Sequence, residues 1–174
     1  MKITYLILFF MLIVFFVTCR RITPKKIEIN EINAFISKYE TVDFNEFKGA
    51  FIAIRQRNLN SIIYIVQNIS KDYPIYIVKY DLLKDTISEI DRTALKKKDT
   101  EDYYTQKEIS KLICNFRKYN FALLKVDSNN NVFINPWQIG DPAILLRMRE
   151  ESAKETIKIG FVYKKYNNRW YIRN

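Results

Sequence analysis

The chain has 174 residues, a formal net charge of +10 at neutral pH, two cysteines and no histidine. Its length suits a single domain with a buried core, and the lack of histidine excludes His-based triads and imidazole metal sites. The basic charge favours anionic partners such as lipid headgroups or acidic proteins. Because the lysines are spread along the sequence, we expect no specific nucleic-acid partner.

An apolar leader opens the chain. After Lys2, every residue from Tyr5 to Val17 is apolar or aromatic. As a helix, residues 3–18 would reach only ~24 Å, which is shorter than the ~30 Å hydrocarbon core of a bilayer. A charged start followed by a short apolar run is typical of a secretory signal.

The leader ends in Phe16-Val17-Thr18-Cys19, which resembles the lipobox of bacterial lipoproteins. The resemblance implies that Cys19 is acylated, for example with palmitate, and that residues 1–18 are removed as a signal peptide. The protein would then be anchored in membrane lipid, facing the periplasm or the cell exterior. Two alternatives stay open. In the first, the apolar run is kept as an uncleaved anchor; the basic residues after it favour this, because such residues tend to stay in the cytoplasm. In the second, the position of the cysteine is a coincidence. Residues 19–29 would form a basic tether, and residues 30–174 a single domain.

Two helices are predicted after the tether. Four apolar residues between Asn30 and Glu40 lie on one helical face: Ile32, Phe35, Ile36 and Tyr39. Asp43 and Glu46 have the spacing of a capping box. They predict a second helix with the buried stripe Phe44, Phe47, Phe51 and Ile54. Because Gly49 would weaken that helix, a strand from Ala50 to Arg55 is the alternative.

The middle of the chain changes to a strand pattern and back. Ser61–Ile69 and Pro74–Tyr80 are rich in β-branched and aromatic residues and predict a β-hairpin. A return to helical spacing follows, at Leu83, Ile87, Ile90 and Ala94. The polar run Lys96–Asp102 predicts a solvated loop.

The helix with the most complete signal begins after Thr105. Thr105 and Glu108 form a capping box, and the apolar stripe behind them is Ile109, Leu112, Ile113 and Phe116. Cys114 falls on the same side as Lys107, Lys111 and Lys118, whose charges would favour a reactive thiolate. An inert, half-buried thiol is the alternative.

The sequence carries no recognisable catalytic motif, so we expect no enzyme, no cofactor and no metal site. An enzyme would have to use Cys114 or an acid pair. The candidate acids are neighbours on polar stretches: Asp99, Glu101 and Asp102, and Glu150 and Glu151. Carboxylates in such stretches are usually solvated, and no apolar pocket is implied around them.

The last third predicts an antiparallel meander of Phe121–Asp127, Val132–Asn135 and Ala143–Arg149, followed by a hairpin of Ile157–Tyr166 and Arg169–Arg173. A two-residue turn at Asn167-Asn168 would pair Lys165 with Trp170. One face of this hairpin would be buried: Ile157, Ile159, Phe161, Tyr163, Trp170 and Ile172. The other face would carry Lys158, Lys164, Tyr166, Arg169, Tyr171 and Arg173.

That second face is the candidate site for an anionic partner. Basic groups interleaved with tyrosines hold anions by charge and by stacking. The alternative is the ordinary solvated face of a one-sided sheet.

Together these patterns predict an α+β fold in which helices pack on one face of an antiparallel sheet. They indicate a membrane-anchored lipoprotein whose domain is a non-catalytic binding module for a protein or another component of the cell envelope. An immunity-type protein that neutralises a toxin is the main alternative, and an enzyme is the third.

Overall fold

The structure, a computed structural model, describes residues 27–70 and 73–174. The leader, Cys19 and most of the tether lie outside the described residues. The chain divides into two compact units, residues 1–40 and 41–174. In the first unit, helix α1 spans Ile29–Tyr39, which confirms the helix predicted from spacing. Phe35 and Tyr39 are one turn apart on it, with ring centroids separated by 4.6 Å.

The second unit is built on one sheet of ten antiparallel strands. The first five strands are β1 (Ala50–Arg57), β2 (Ser61–Asn68), β3 (Tyr76–Asp81), β4 (Thr86–Asp91) and β5 (Leu123–Val126). The others are β6 (Val132–Asn135), β7 (Leu145–Arg147), β8 (Thr156–Ile159), β9 (Phe161–Asn167) and β10 (Trp170–Arg173). They are ordered β4-β3-β2-β1-β5-β6-β7-β10-β9-β8 across the sheet.

Two helices and one 3₁₀ turn complete this unit: α2 (Thr93–Lys97), α3 (Gln106–Arg117) and the 3₁₀ turn Asn45–Phe47. The described residues therefore form a mostly antiparallel sheet with a few helices, which is an α+β or mainly-β fold. Within residues 27–70 and 73–174, none of the helices combines the length and the hydropathy needed to cross a bilayer.

The helix predicted from Asp43 is wrong, and its alternative, a strand from Ala50, is correct. The Asp43 carboxylate accepts the backbone N–H of Asn45 at 2.9 Å, but only the single 3₁₀ turn follows. Gly49 then adopts φ +76° and redirects the chain into β1. Strand β1 gains ladder bonds on both sides, with β2 and with β5, which a short helix with an internal glycine cannot match.

The predicted hairpin of β2 and β3 is confirmed, with Ile62 paired to Tyr80 and Val66 to Tyr76. The helix predicted around Leu83–Ala94 is wrong, because this stretch contains β4 and only the short helix α2. The Asp81 carboxylate accepts the N–H groups of Leu83 and Lys84, and Asp85 takes a left-handed φ of 51°. This tight turn sends the chain back along β3.

Helix α3 is confirmed together with its cap. Thr105 Oγ1 accepts the N–H of Glu108 at 3.2 Å, and Glu108 Oε2 accepts the N–H of Thr105 at 2.7 Å. Ile109, Ile113 and Phe116 are buried. The capping pair and the apolar stripe act locally, which is why the sequence alone was sufficient here.

The last hairpin exists only in part, because Gly160 divides the predicted strand Ile157–Tyr166 into β8 and β9, which pair with each other. The predicted register of β9 with β10 is wrong as well. The turn is Asn168-Arg169, and Trp170 pairs with Asn167 while Tyr171 pairs with Lys165. Tyr166 is thus the extra residue of a β-bulge, and the pairing of Lys165 with Trp170 does not occur. Adjacent residues of a strand point to opposite faces, yet Trp170 and Tyr171 are both 0% exposed. Both faces of the sheet are therefore covered at β10.

Candidate functional site

An open cleft of about 600 Å³ lies on the face of the sheet that carries Tyr163 and Tyr171. We call it the inner cleft. Its wall residues come from β1 and β2 (Phe51, Ala53, Arg55, Ile65, Gln67), from Ile69, from β5 and β6 (Leu123, Lys125, Phe133), from the loop Gly140–Ala143, and from the β8–β9 hairpin (Ile159, Gly160, Phe161, Tyr163).

The inner cleft exists because the sheet curls. Strands β1 and β9 are five positions apart in the sheet, which would separate them by about 24 Å if the sheet were flat. Both nevertheless line the same cleft. Bulges increase strand twist, and β1 carries one at Arg55, between the pairs Ile54–Tyr64 and Gln56–Ile63.

The walls of the inner cleft are apolar and partly open to solvent. Phe51, Ile65 and Ile69 are half-buried on one side. On the opposite side, Ile159 and Phe161 are 37% and 47% exposed. They face each other across Gly160, whose φ of +69° makes the tight tip of the β8–β9 hairpin. Apolar side chains that remain exposed inside a concavity are typical of a binding surface.

Two buried aromatic rings form the floor of the inner cleft. Phe133 and Tyr163 are buried and meet edge to face, with ring centroids 6.1 Å apart. Tyr163 Oη donates to the carbonyl of Ala143 at 3.3 Å. Burial raises the pKa of Tyr163, and the charge of Arg173 opposes this only in part. The phenol therefore stays protonated at neutral pH.

One end of the inner cleft is shaped by Asn135, which is 0% exposed. Its Oδ1 accepts the N–H groups of Trp137 and Gln138 at 3.1 and 3.0 Å. Its Nδ2 donates to the carbonyls of Asp141 and Pro142 at 3.3 and 3.0 Å. A single buried amide thus closes the loop that contributes Gly140–Ala143 to the cleft wall.

At the other end, the cleft continues into a smaller space of about 250 Å³, which we call the polar annex. Ile69, Lys125, Phe133 and Ile159 line both spaces, and Ser70, Asp127 and Ser128 line the annex alone. The Asp127 carboxylate is engaged by its own turn, because it accepts the N–H groups of Asn129 and Asn131 at 2.9 and 2.8 Å.

Three cations lie beside this apolar surface. Lys125 Nζ is 5.0 Å from the centroid of the Phe133 ring, and the Arg173 guanidinium carbon is 5.3 Å from that of Phe161. Arg55 is the bulged residue of β1. Among residues 27–70 and 73–174, none of these cations has an ion-pair partner within 4 Å, and Arg173 Nη1 is buried without a hydrogen-bond acceptor.

The six residues predicted as a face for an anionic partner do not form one surface. Tyr171 is fully buried, and its hydroxyl donates to the carbonyl of Lys154 at 2.8 Å. The bulge at Tyr166 shifts the pairing of β9 with β10. Arg173 therefore pairs with Tyr163 and lies on the cleft side of the sheet. Lys164 pairs with Ile172 and lies on the opposite side. Lys158 lies on that opposite side as well. The half-exposed Arg169 belongs to the turn.

The other candidate residues are not brought together. Cys114 is exposed on α3. The Asp102 carboxylate accepts Arg92 Nε at 3.0 Å and the hydroxyl of Tyr76 at 3.2 Å, which anchors the loop before α3. Glu150 and Glu151 are exposed. In the part of the chain that the structure describes, no cluster of three acidic, cysteine or histidine residues is arranged to hold a metal ion.

A second polar cluster fastens α3 to the β3–β4 turn. Arg117 Nη1 donates to Asp85 Oδ1 at 2.7 Å and to the hydroxyl of Tyr80, and its guanidinium lies 4.1 Å from the Tyr80 ring centroid. Burial and the hydrogen bond to Asp85 raise the pKa of Tyr80 to about 12. Hydrogen bonds from Arg117 and Tyr80 lower the pKa of Asp85. Because all three groups satisfy one another, this cluster stabilises the fold.

The residues of the inner cleft were missed by sequence reasoning, although a signal existed. The stretch Ile62–Val66 is apolar without interruption, as in strands covered on both faces. In a one-sided sheet, Ile63 and Ile65 would be polar. No protein family, curated protein or solved structure matches this chain.

Proposed function

We propose that this protein is a non-catalytic binding module that holds an apolar ligand in the inner cleft. The observation that carries the proposal is the open, apolar concavity of about 600 Å³, which falls within the range of ~300–1,000 Å³ for small-molecule sites. Its half-exposed aliphatic and aromatic walls would gain about 25 cal/mol for each Å² of apolar surface removed from water.

The chemistry of the cleft favours binding over catalysis. Its buried phenol, Tyr163, already donates to the Ala143 carbonyl, and its pKa is raised by burial. A general base needs a pKa near the working pH, so this group is unsuited to remove a proton. The carboxylate of Asp127 already accepts the backbone N–H groups of Asn129 and Asn131 in its own turn.

We place the module at the cell envelope, anchored by lipid on Cys19, on the strength of the lipobox-like Phe16-Val17-Thr18-Cys19.

We also propose that α3 packs on the sheet face opposite the inner cleft. The supporting contact joins Phe116 of α3 and Tyr64 of β2, whose ring centroids lie 6.0 Å apart at 89°.

A photolabelling experiment tests ligand binding. The full-length protein in phosphatidylcholine vesicles is irradiated with a neutral, photoactivatable dodecanol analogue, and the labelled peptides are mapped by mass spectrometry. We expect label on peptides of the cleft wall. Ile65→Trp fills the cleft and should reduce that label about 10-fold. Leu59→Trp adds the same side chain at a position that is 92% exposed, so its labelling should match the wild type.

Two results would overturn the proposal. One is equal labelling of cleft peptides in all three proteins. The other is label confined to peptides outside the cleft in the wild type. Circular dichroism melts of the three proteins would show whether Ile65→Trp has simply unfolded.

A further inference from the structure

We infer that the ligand of the inner cleft is a single-chain fatty acid anion, with its alkyl chain along the apolar walls and its carboxylate beside Lys125. This inference rests on the proposed function and specifies the ligand class. It follows from the position of Lys125 in a cleft whose walls are mostly apolar.

Lys125 is the cation best placed to receive a headgroup. It is half-buried, and it lines both the inner cleft and the polar annex. Its ammonium group lies over the Phe133 ring at 5.0 Å. No carboxylate of the described residues lies within 4 Å of it, and a bound carboxylate would supply a charge-assisted hydrogen bond.

The neighbouring acids do not fill that role. Asp127 lines the annex, but its oxygens accept two backbone N–H groups and also Asn131 Nδ2 at 2.9 Å. Asp141 lines the inner cleft alone, at the end that Asn135 closes. Neither lies within 4 Å of the Lys125 ammonium in the described residues. The hydroxyls of Ser70 and Ser128, which also line the annex, can donate to a second carboxylate oxygen.

The shape of the cleft favours one alkyl chain. Apolar side chains run from the annex, at Ile69 and Ile159, to Leu123 and Ala143 near the opposite end. Ile159 of the β8–β9 hairpin lines the annex together with Ile69, the residue that follows β2. A cleft of about 600 Å³ has the size of a site for one small molecule, which favours one alkyl chain over the paired chains of a phospholipid.

Competition in the same photolabelling assay tests the inference. Dodecanoate and dodecanol are each titrated against the neutral probe on the full-length protein in phosphatidylcholine vesicles. We expect dodecanoate to compete about 10-fold better than dodecanol, which one charge-assisted hydrogen bond can supply. From octanoate to dodecanoate, each added methylene should strengthen competition up to about 4-fold, as expected for its burial.

Matched variants locate the headgroup. Lys125→Met keeps the aliphatic stem and should remove the preference for dodecanoate without changing competition by dodecanol. Lys125→Arg should retain the preference. Lys158→Met removes a charge from an exposed position of β8 outside the cleft and should behave as the wild type.

Each contrary outcome is distinct. If dodecanoate and dodecanol compete equally, the fatty acid inference fails while the apolar site stands. If Arg173→Gln abolishes the preference and Lys125→Met does not, the headgroup lies beside Arg173 and the stated position of the carboxylate is overturned. If the neutral probe does not label the cleft at all, the proposed function fails as well.

Discussion

Replacement of Tyr171 by alanine tests the register of the last hairpin. Tyr171 is 0% exposed and packs in one cluster with Leu146, Phe133 and Tyr163. Truncation of a buried aromatic costs about 3–5 kcal/mol of unfolding free energy. Since domains of this kind have about 5–15 kcal/mol in total, the variant should be marginally stable.

Urea titration measures this loss. With a typical slope of about 2 kcal/mol per molar urea, a loss of 4 kcal/mol lowers the unfolding midpoint by about 2 M. Tyr171→Phe keeps the packing and removes only the hydrogen bond to the Lys154 carbonyl at 2.8 Å, which should cost about 0.5–1.5 kcal/mol. Lys164→Ala, at an exposed position of the same hairpin, should stay within about 0.5 kcal/mol of the wild type.

The register predicted from the sequence gives the opposite result. It exposes Tyr171, and the alanine variant would then lose no more than Lys164→Ala does. A loss below about 1 kcal/mol for Tyr171→Ala would therefore refute the bulge at Tyr166 and the two-faced burial of β10.

Further predictions concern the cap, a buried amide and a hairpin tip. Thr105→Ala should cost about 1 kcal/mol in urea titrations, because the cap of α3 is lost. Hydrogen bonds from Thr105 lower the pKa of Glu108 in the folded protein. The ionised Glu108 carboxylate therefore stabilises the fold above its unfolded pKa, and this stabilisation is lost as the pH falls. The difference in unfolding free energy between Glu108→Gln and the wild type should accordingly shrink from pH 7 to pH 3. Asn135→Ala leaves two N–H groups and two carbonyls of its loop without their partner and should cost at least about 2 kcal/mol, measured by thermal melts alongside Asn45→Ala as an exposed control. At Gly160 a Cβ would meet nothing within 4 Å, so Gly160→Ala should cost only the ~1–2 kcal/mol of a left-handed alanine; a larger loss would mean that the tip is more tightly packed than described.

The sequence by itself determined the elements whose causes are local. Helix α1 follows from its apolar spacing, and α3 from the reciprocal bonds of Thr105 and Glu108. The β2–β3 hairpin follows from β-branched runs on either side of a polar turn. In each case the decisive residues lie within about one turn or one strand of each other, so their spacing carries the information.

Only the tertiary structure decided the register at Tyr166, the strand in place of a helix at Thr86–Asp91, and the inner cleft. A one-residue shift exchanges the two faces of a strand. Here Trp170 and Tyr171, which point to opposite faces of β10, are both buried, so hydrophobic alternation could not select the register. Likewise, Ile65 and Phe161 are distant in sequence and line the same cleft because the sheet curls between them. Curvature of that kind is a sum of twists and bulges over many strands, and no single stretch of sequence encodes it.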